Sequence, residues 1–161
     1  EASTGSLGQG LSVGVGLALA GKLRDSAYRV YCILGDGELQ EGQVWEAAMA
    51  AAHYHLDNLL AIVDHNRYQI DGAVNAVMDL GDLSGKWRAF GWNVLEVDGH
   101  AFPALTSAYA RARETKSQPT VILAITCKGK GCSFMENTPH AWHGTPPTRE
   151  QLERALGELA R

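Results

Sequence analysis

The residues best equipped for chemistry are Asp36, within Gly35-Asp36-Gly37-Glu38, and Asn66, thirty positions further on. A carboxylate and a side-chain amide among glycines present oxygen atoms beside a main chain that a ligand can approach closely. Hard divalent cations take such oxygens, and Mg²⁺ usually keeps only one or two carboxylates beside its waters and the phosphates of a ligand. Asp36 supplies charge, Asn66 a neutral oxygen, and a backbone carbonyl just after Asn66 a third ligand. Gly37 has no Cβ to hold a phosphate away from the backbone. The set therefore reads as a site for a cation carrying a phosphorylated ligand.

The elements that must position these residues are legible around them. Residues 29–34 form a strand-like run ahead of Asp36, residues 59–63 another ahead of Asn66, and an Ala-rich helix over 42–54 lies between. This is one βαβ unit, with Asp36 and Asn66 at the carboxyl ends of its strands, the edge where open parallel sheets bind ligands. Upstream, residues 8–24 read as a helix with Leu11, Val15, Ala18 and Leu19 on one face. Glycine inside a helix costs up to about 1 kcal/mol relative to Ala, so Gly14 and Gly21 predict close packing against a sheet. Downstream, helices over 82–90 and 102–115 alternate with strands over 92–97 and 119–125, and Thr148 caps a last helix. The alternation predicts a parallel α/β sheet of about four strands in one domain over residues 1–161.

In chain order, Thr4-Gly5-Ser6-Leu7-Gly8-Gln9-Gly10, Gly35-Asp36-Gly37-Glu38-Leu39-Gln40-Glu41-Gly42, Ile70-Asp71-Gly72 and Trp142-His143-Gly144 resemble transketolase. The spacing of Asp36 and Asn66 resembles the thiamine-diphosphate-binding motif. The likeness is to the diphosphate-binding half, sometimes encoded as a separate amino-terminal subunit, and it covers nearly the whole chain. It implies the thiamine-diphosphate-binding fold, a three-layer parallel sheet flanked by helices, here incomplete at its N-terminus. It implies thiamine diphosphate and Mg²⁺ (or Ca²⁺) as cofactors, with Asp36, Asn66 and the main-chain carbonyl of Tyr68 on the metal. It implies that Gly5 and Leu7 approach the cofactor rings, that Gly37 and Asn66 hold the diphosphate, and that Ile70 packs on the thiazolium. His143 would contact the diphosphate beside the substrate, and Glu41 would link two active sites across a subunit interface. Ser6 stands where many members of the family carry Pro.

The reaction implied is transfer of a two-carbon ketol unit from a ketose phosphate to an aldose phosphate, as in the pentose phosphate pathway. The family's glutamate that activates the aminopyrimidine lies on a second domain, and no region here resembles it. The resemblance therefore implies a partner that is a pyrimidine-binding domain or subunit, sugar phosphates for substrates, an oligomer, and inactivity without that partner. Two alternatives stand beside this: a non-catalytic Mg–thiamine-diphosphate-binding or assembly module, and another thiamine enzyme such as deoxyxylulose-phosphate synthase or a 2-oxoacid dehydrogenase. The latter share Gly-Asp-Gly and Asn, but generally not the first and last strings together.

Composition excludes other classes. The chain has 161 residues, 45% hydrophobic and 20% charged, as expected of a globular protein with a real core. A formal charge of −4 carries no nucleic-acid footprint. The apolar run 11–20 falls short of the roughly 20 residues that a membrane helix needs. Three cysteines without a dense framework predict reduced thiols and a cytoplasmic home, and Cys127 and Cys132 are too widely spaced for half a zinc site. A start at Glu1, with no charged-then-apolar leader, reads as a fragment or a processed chain. The strand ending in Asp36 is no Walker B motif, for the chain has no Gly-x-x-x-x-Gly-Lys-Ser/Thr. Glu38 reads as a carboxylate favouring a positive helix end, and His53 and His55 as surface groups near another helix end. His100 reads as structural and Arg67 as a surface group, while Lys128 and Lys130 read as cations able to neutralise phosphate.

Overall fold

A computed structural model describes residues 2–160. Helix α1 (Gln9–Leu23) leads into β1 (Val30–Gly35), a 3₁₀ turn (Gly37–Gln40), α2 (Gly42–His53) and β2 (Leu59–His65). A small hairpin, β3 (Tyr68–Gln69) and β4 (Gly72–Ala73), and the helices α3 (Val74–Met78) and α4 (Leu83–Ala89) follow. Then come β5 (Asn93–Asp98), α5 (Phe102–Glu114), β6 (Thr120–Ile125), α6 (Ser133–Glu136), a second 3₁₀ turn (Pro139–Trp142) and α7 (Arg149–Leu159). Thr148 closes a reciprocal capping box with Gln151 at the start of α7, as its sequence predicts. Among the described residues no helix is long and apolar enough to cross a membrane.

Among the described residues the main sheet has four strands in the order β1-β2-β6-β5, every neighbouring pair parallel. Side chains alternate between the faces of a strand, and the two cores follow that period. Leu59, Ala61 and Val63 of β2 and Val121 and Leu123 of β6 point to one face and pack with Leu11, Val44, Ala48 and the fully buried Trp87. Leu60 and Ile122 point to the other and pack with Ala108 and Ala112 of α5. Each such side chain is worth roughly 1.5–3 kcal/mol when fully buried, and the first face carries most of them. Helices therefore cover both faces, but α5 lies over the β5–β6 side, leaving Tyr31 and Ile33 of β1 exposed.

The glycines of α1 do allow close packing. A Cβ at Gly14 would lie 3.4 Å from Leu59 Cδ1, and one at Gly21 would lie 2.8 Å from the ring of Tyr28. The partner of Gly21 is thus a loop aromatic and not the sheet. Three local features go beyond the sequence reading. β2 runs two residues further, taking in Asp64 and His65. Ile70-Asp71 turns a two-stranded hairpin whose second strand starts at Gly72, and a short α3 follows it. Both are too brief for a periodic pattern to declare itself.

Candidate functional site

Gly35 of β1 pairs with Asp64 of β2. Parallel strands in this register bring Asp36 and Asn66 out at the same edge of the sheet. Asp36 is 1% exposed, and both its carboxylate oxygens are engaged. Oδ1 accepts from the Gly37 N–H at 2.8 Å and Oδ2 from the Arg67 N–H at 2.5 Å. A buried carboxylate is tolerated when hydrogen bonds replace its water, and each oxygen still has a lone pair to offer a cation. Arg67 reaches this contact at φ 67°, a left-handed conformation that a non-glycine residue adopts only at a cost. His65 Nδ1 lies 3.4 Å from Asp36 Oδ2 and is buried without a hydrogen-bond partner.

Asn66 is oriented from both ends. Its Nδ2 donates to Asp64 Oδ2 at 3.0 Å, and its Oδ1 accepts from the Tyr68 N–H at 2.9 Å. Asp64 is held in turn by the Thr126 hydroxyl, which donates to its Oδ1. Asp64 and Thr126 are functional candidates that the sequence reading missed. The available signal was the spacing Asp64-x-Asn66 at the end of a strand, which puts both side chains on one face.

Asp36, Asp64 and Asn66 open into one cleft of about 410 Å³, which Leu7, Gly37, Glu41, Tyr68, Ile70 and His143 also line. Gly5 is the one predicted site residue that does not line it, and nothing lies within 4 Å of where its Cβ would be. Gly37 is required sterically, since a Cβ there would stand 2.6 Å from Gln69 Cβ. The two lysines separate. Lys128 lines the cleft, whereas Lys130 turns to Glu136 at 3.8 Å.

The expectation for Glu38 is overturned. It serves the start of α1 and not that of the helix after it, because its carboxylate accepts from the backbone N–H of Gly8, which opens α1, and from that of Gly35. His100 is structural, as read, with Nε2 accepting from the Cys127 N–H at 2.8 Å. His55 Nδ1 lies 3.0 Å from the Ser117 carbonyl at the surface. Cys32, on β1, is buried in the core. Burial, with the negative charge of Glu38 adding to it, pushes its thiol up to about 11, so it is no nucleophile at neutral pH.

Among the described residues no three His, Cys, Asp or Glu side chains are placed to hold a metal ion together. A cation in this cleft would rest on the Asp36 carboxylate, the Asn66 and Tyr68 oxygens, and oxygens brought by a ligand. That all-oxygen set with one charge fits Mg²⁺ or Ca²⁺ accompanied by phosphate, and fits soft metals poorly.

The family described as transketolase, thiamine diphosphate binding domain, matches residues 1–159. The chain belongs to this family. It is 45% identical over 160 residues to an apulose-4-phosphate transketolase subunit of Phocaeicola vulgatus, covering 99% of this chain and 57% of that one. It is 46% identical to human transketolase, covering 99% of this chain and 25% of that enzyme. The transketolase of Campylobacter jejuni superposes with a TM-score of 0.91 at 32% identity, over 98% of this chain and 26% of that one. The fold is thus the thiamine-diphosphate-binding fold of transketolases. The chain spans a little over half the length of the subunit relative and about a quarter of the full transketolases.

Proposed function

We propose that this chain supplies the diphosphate- and metal-binding half of a transketolase-type site, acting with a pyrimidine-binding domain or subunit. The observation that carries this reading is the convergence of Asp36, Asn66, Tyr68, Gly37, Lys128 and His143 on one cleft at the carboxyl edge of adjacent parallel strands. Asp36, Asn66 and the Tyr68 carbonyl would hold Mg²⁺. The backbone at Gly37 and the Lys128 ammonium would take the diphosphate. Leu7 and Ile70, 59% and 70% exposed, would give up that exposure to the apolar face of the rings, and Gly5 would let the backbone lie close to them. When bound, thiamine diphosphate supplies the carbon nucleophile for moving a two-carbon ketol unit between sugar phosphates. His143 would face the substrate and donate a hydrogen bond to oxygen that becomes negative, the preorganised electrostatic help that favours a transition state. Glu41, exposed at the start of α2 beside the cleft, would reach across to a second subunit.

The Phocaeicola relative is named as one subunit of its transketolase, which supports a division of the site between two chains. The deciding experiment is calorimetric titration of thiamine diphosphate into the chain mixed with its pyrimidine-binding partner, with Mg²⁺ and with chelator. Mg²⁺-dependent binding that disappears in Asp36→Ala is the expected result. Equal binding with chelator, or in the variant, would sink the assignment. A second reading, a binding module without turnover, rests on the open ring-facing side of the cleft. Bound cofactor without ketol transfer in the mixed subunits would favour it.

A further inference from the structure

One carboxylate at the cleft has no part in the proposed cofactor chemistry. Glu38 lies in the 3₁₀ turn after β1. Its Oε1 accepts from the Gly8 N–H at 2.9 Å, and its Oε2 accepts from the Gly35 N–H at 3.2 Å. Gly35 ends β1 and directly precedes Asp36. Gly8 opens α1 at φ 84°, with no side-chain cap of its own. It cannot acquire one, for a Cβ there would stand 3.0 Å from Glu41 Cβ and would have to adopt the left-handed region. An unpaired N–H at a helix start needs an acceptor, and the acceptor comes from a different segment.

The consequence is architectural. Asp36 ties the strand end to the loop after β2 through the Arg67 N–H. Glu38, two residues on, ties the same strand end to the segment before α1, which carries Leu7 into the cleft. Two neighbouring carboxylates thus fasten three cleft-forming segments together. We propose that Glu38 is a positioning residue: its carboxylate sets the height of residues 5–8 over the cleft, and through them the placement of Leu7 against the cofactor rings. The ligand named here rests on the function proposed above, whereas the clamp itself does not.

The chemistry requires a carboxylate and not merely a polar group. Both partners are donors, and glutamine has one acceptor oxygen and an NH₂ that would face the second N–H. Glu38→Gln therefore keeps one bond at most, and Glu38→Ala keeps neither. Charge-assisted hydrogen bonds are the stronger kind, so the loss is readable.

The test uses the chain with its pyrimidine-binding partner and two readouts. Amide hydrogen exchange at Gly8 and Gly35 is compared with that at Gly37 and Arg67, which Asp36 holds. Thiamine diphosphate affinity is measured with Mg²⁺ present. In Glu38→Gln, exchange at Gly8 or Gly35 should speed about tenfold and cofactor affinity should weaken about tenfold, the effect of losing one such bond. Gly37 and Arg67 should keep their protection. Glu38→Ala should weaken both further; if it fails to fold, the glutamine variant decides alone. Unchanged exchange at both glycines would overturn the clamp. Faster exchange with affinity within about twofold of wild type would overturn its role in the cleft, leaving only a structural tie. A wild-type chain that ignores thiamine diphosphate would instead overturn the cofactor reading and with it the placement of Leu7 against rings, while the exchange comparison still decides the clamp.

Discussion

The two halves of the cleft are built differently. On the strand side, Asp36 is 1% exposed, both its oxygens are bonded to backbone, and Asn66 is held at both ends of its amide. On the open side, Leu7 is 59% and Ile70 is 70% exposed, His143 is exposed, and Gly5 has nothing within 4 Å of its Cβ position. A hard cation and a diphosphate demand fixed oxygens and dipoles, and reorganising those around a charge is costly. Aromatic rings demand only apolar area, which a second wall can supply. Under the function proposed above, the contrast teaches that this chain would preorganise the charged end of the site by itself and present the apolar end unfinished.

The sharpest way to break that contrast is Asp36→Asn. The amide removes the charge and points a donor at either the Gly37 or the Arg67 N–H. Mg²⁺-dependent thiamine diphosphate binding should fall about a hundredfold or more, which corresponds to about 2.7 kcal/mol. The melting temperature should fall as well, since a buried N–H loses its partner at a cost of about 1–3 kcal/mol. Calorimetry and thermal melts check the two together. Retained affinity would mean that the strand side is not where the charge is held.

Gly37→Ala comes next. Its Cβ would meet Gln69 Cβ at 2.6 Å, so the β3–β4 hairpin must move away. Overpacking of this kind costs about 1–3 kcal/mol, and at this chain length each kcal/mol lowers the melting temperature by about 2–4 °C. Cofactor affinity should fall with it, because the hairpin follows Asn66 directly. An alanine variant that melts like wild type would show that the hairpin yields freely and that the strand side is less rigid than its hydrogen bonds suggest. Asp64→Ala probes the same rigidity one step removed from the ligand. It should leave the fold intact and weaken affinity about tenfold, since Asn66 loses the acceptor that orients its amide. An unaltered titration would mean that the Tyr68 N–H alone suffices to aim the Asn66 oxygen.

How much of this was legible in the sequence follows the same division. Asp36 and Asn66 could be placed at one edge because two apolar runs and an Ala-rich helix between them spell a βαβ unit, and β1 and β2 do pair in parallel. The faces of α1 and α2 could be read from helical spacing, and Leu11, Val15, Ala18, Val44, Ala47, Ala48 and Ala51 are buried. What could not be read is the hydrogen bonding between segments remote in sequence. Glu38 carries every local mark of a carboxylate at a helix end, yet it accepts from Gly8, thirty positions away. Asp64 falls just past the predicted strand with no mark of its own, and only the fold shows Thr126, 62 positions on, donating to it. Patterns report which face a residue takes. They do not report which backbone N–H, left over from another element, will need its oxygen.

Leu7→Ala and Ile70→Ala test the unfinished side, and their predicted effect on stability is the smallest of the set. Both side chains are largely in water, so truncating them removes little buried area, and substitutions at such positions usually change stability by no more than about 0.5 kcal/mol. Affinity should behave differently. If the cofactor rings complete the wall, each truncation gives up roughly 1–2 kcal/mol of apolar contact that exists only in the complex, or about five- to thirtyfold in Kd. The loss should appear only when the pyrimidine-binding partner is present, because under the proposed function that partner would close the rings against these side chains. Melting curves of the free chain that coincide with wild type, beside weakened binding in the mixed complex, would separate exposure by design from exposure by neglect. A lowered melting temperature in the free chain would instead show that Leu7 and Ile70 already pack against something in solution, and that the open side of the cleft is more finished than it looks.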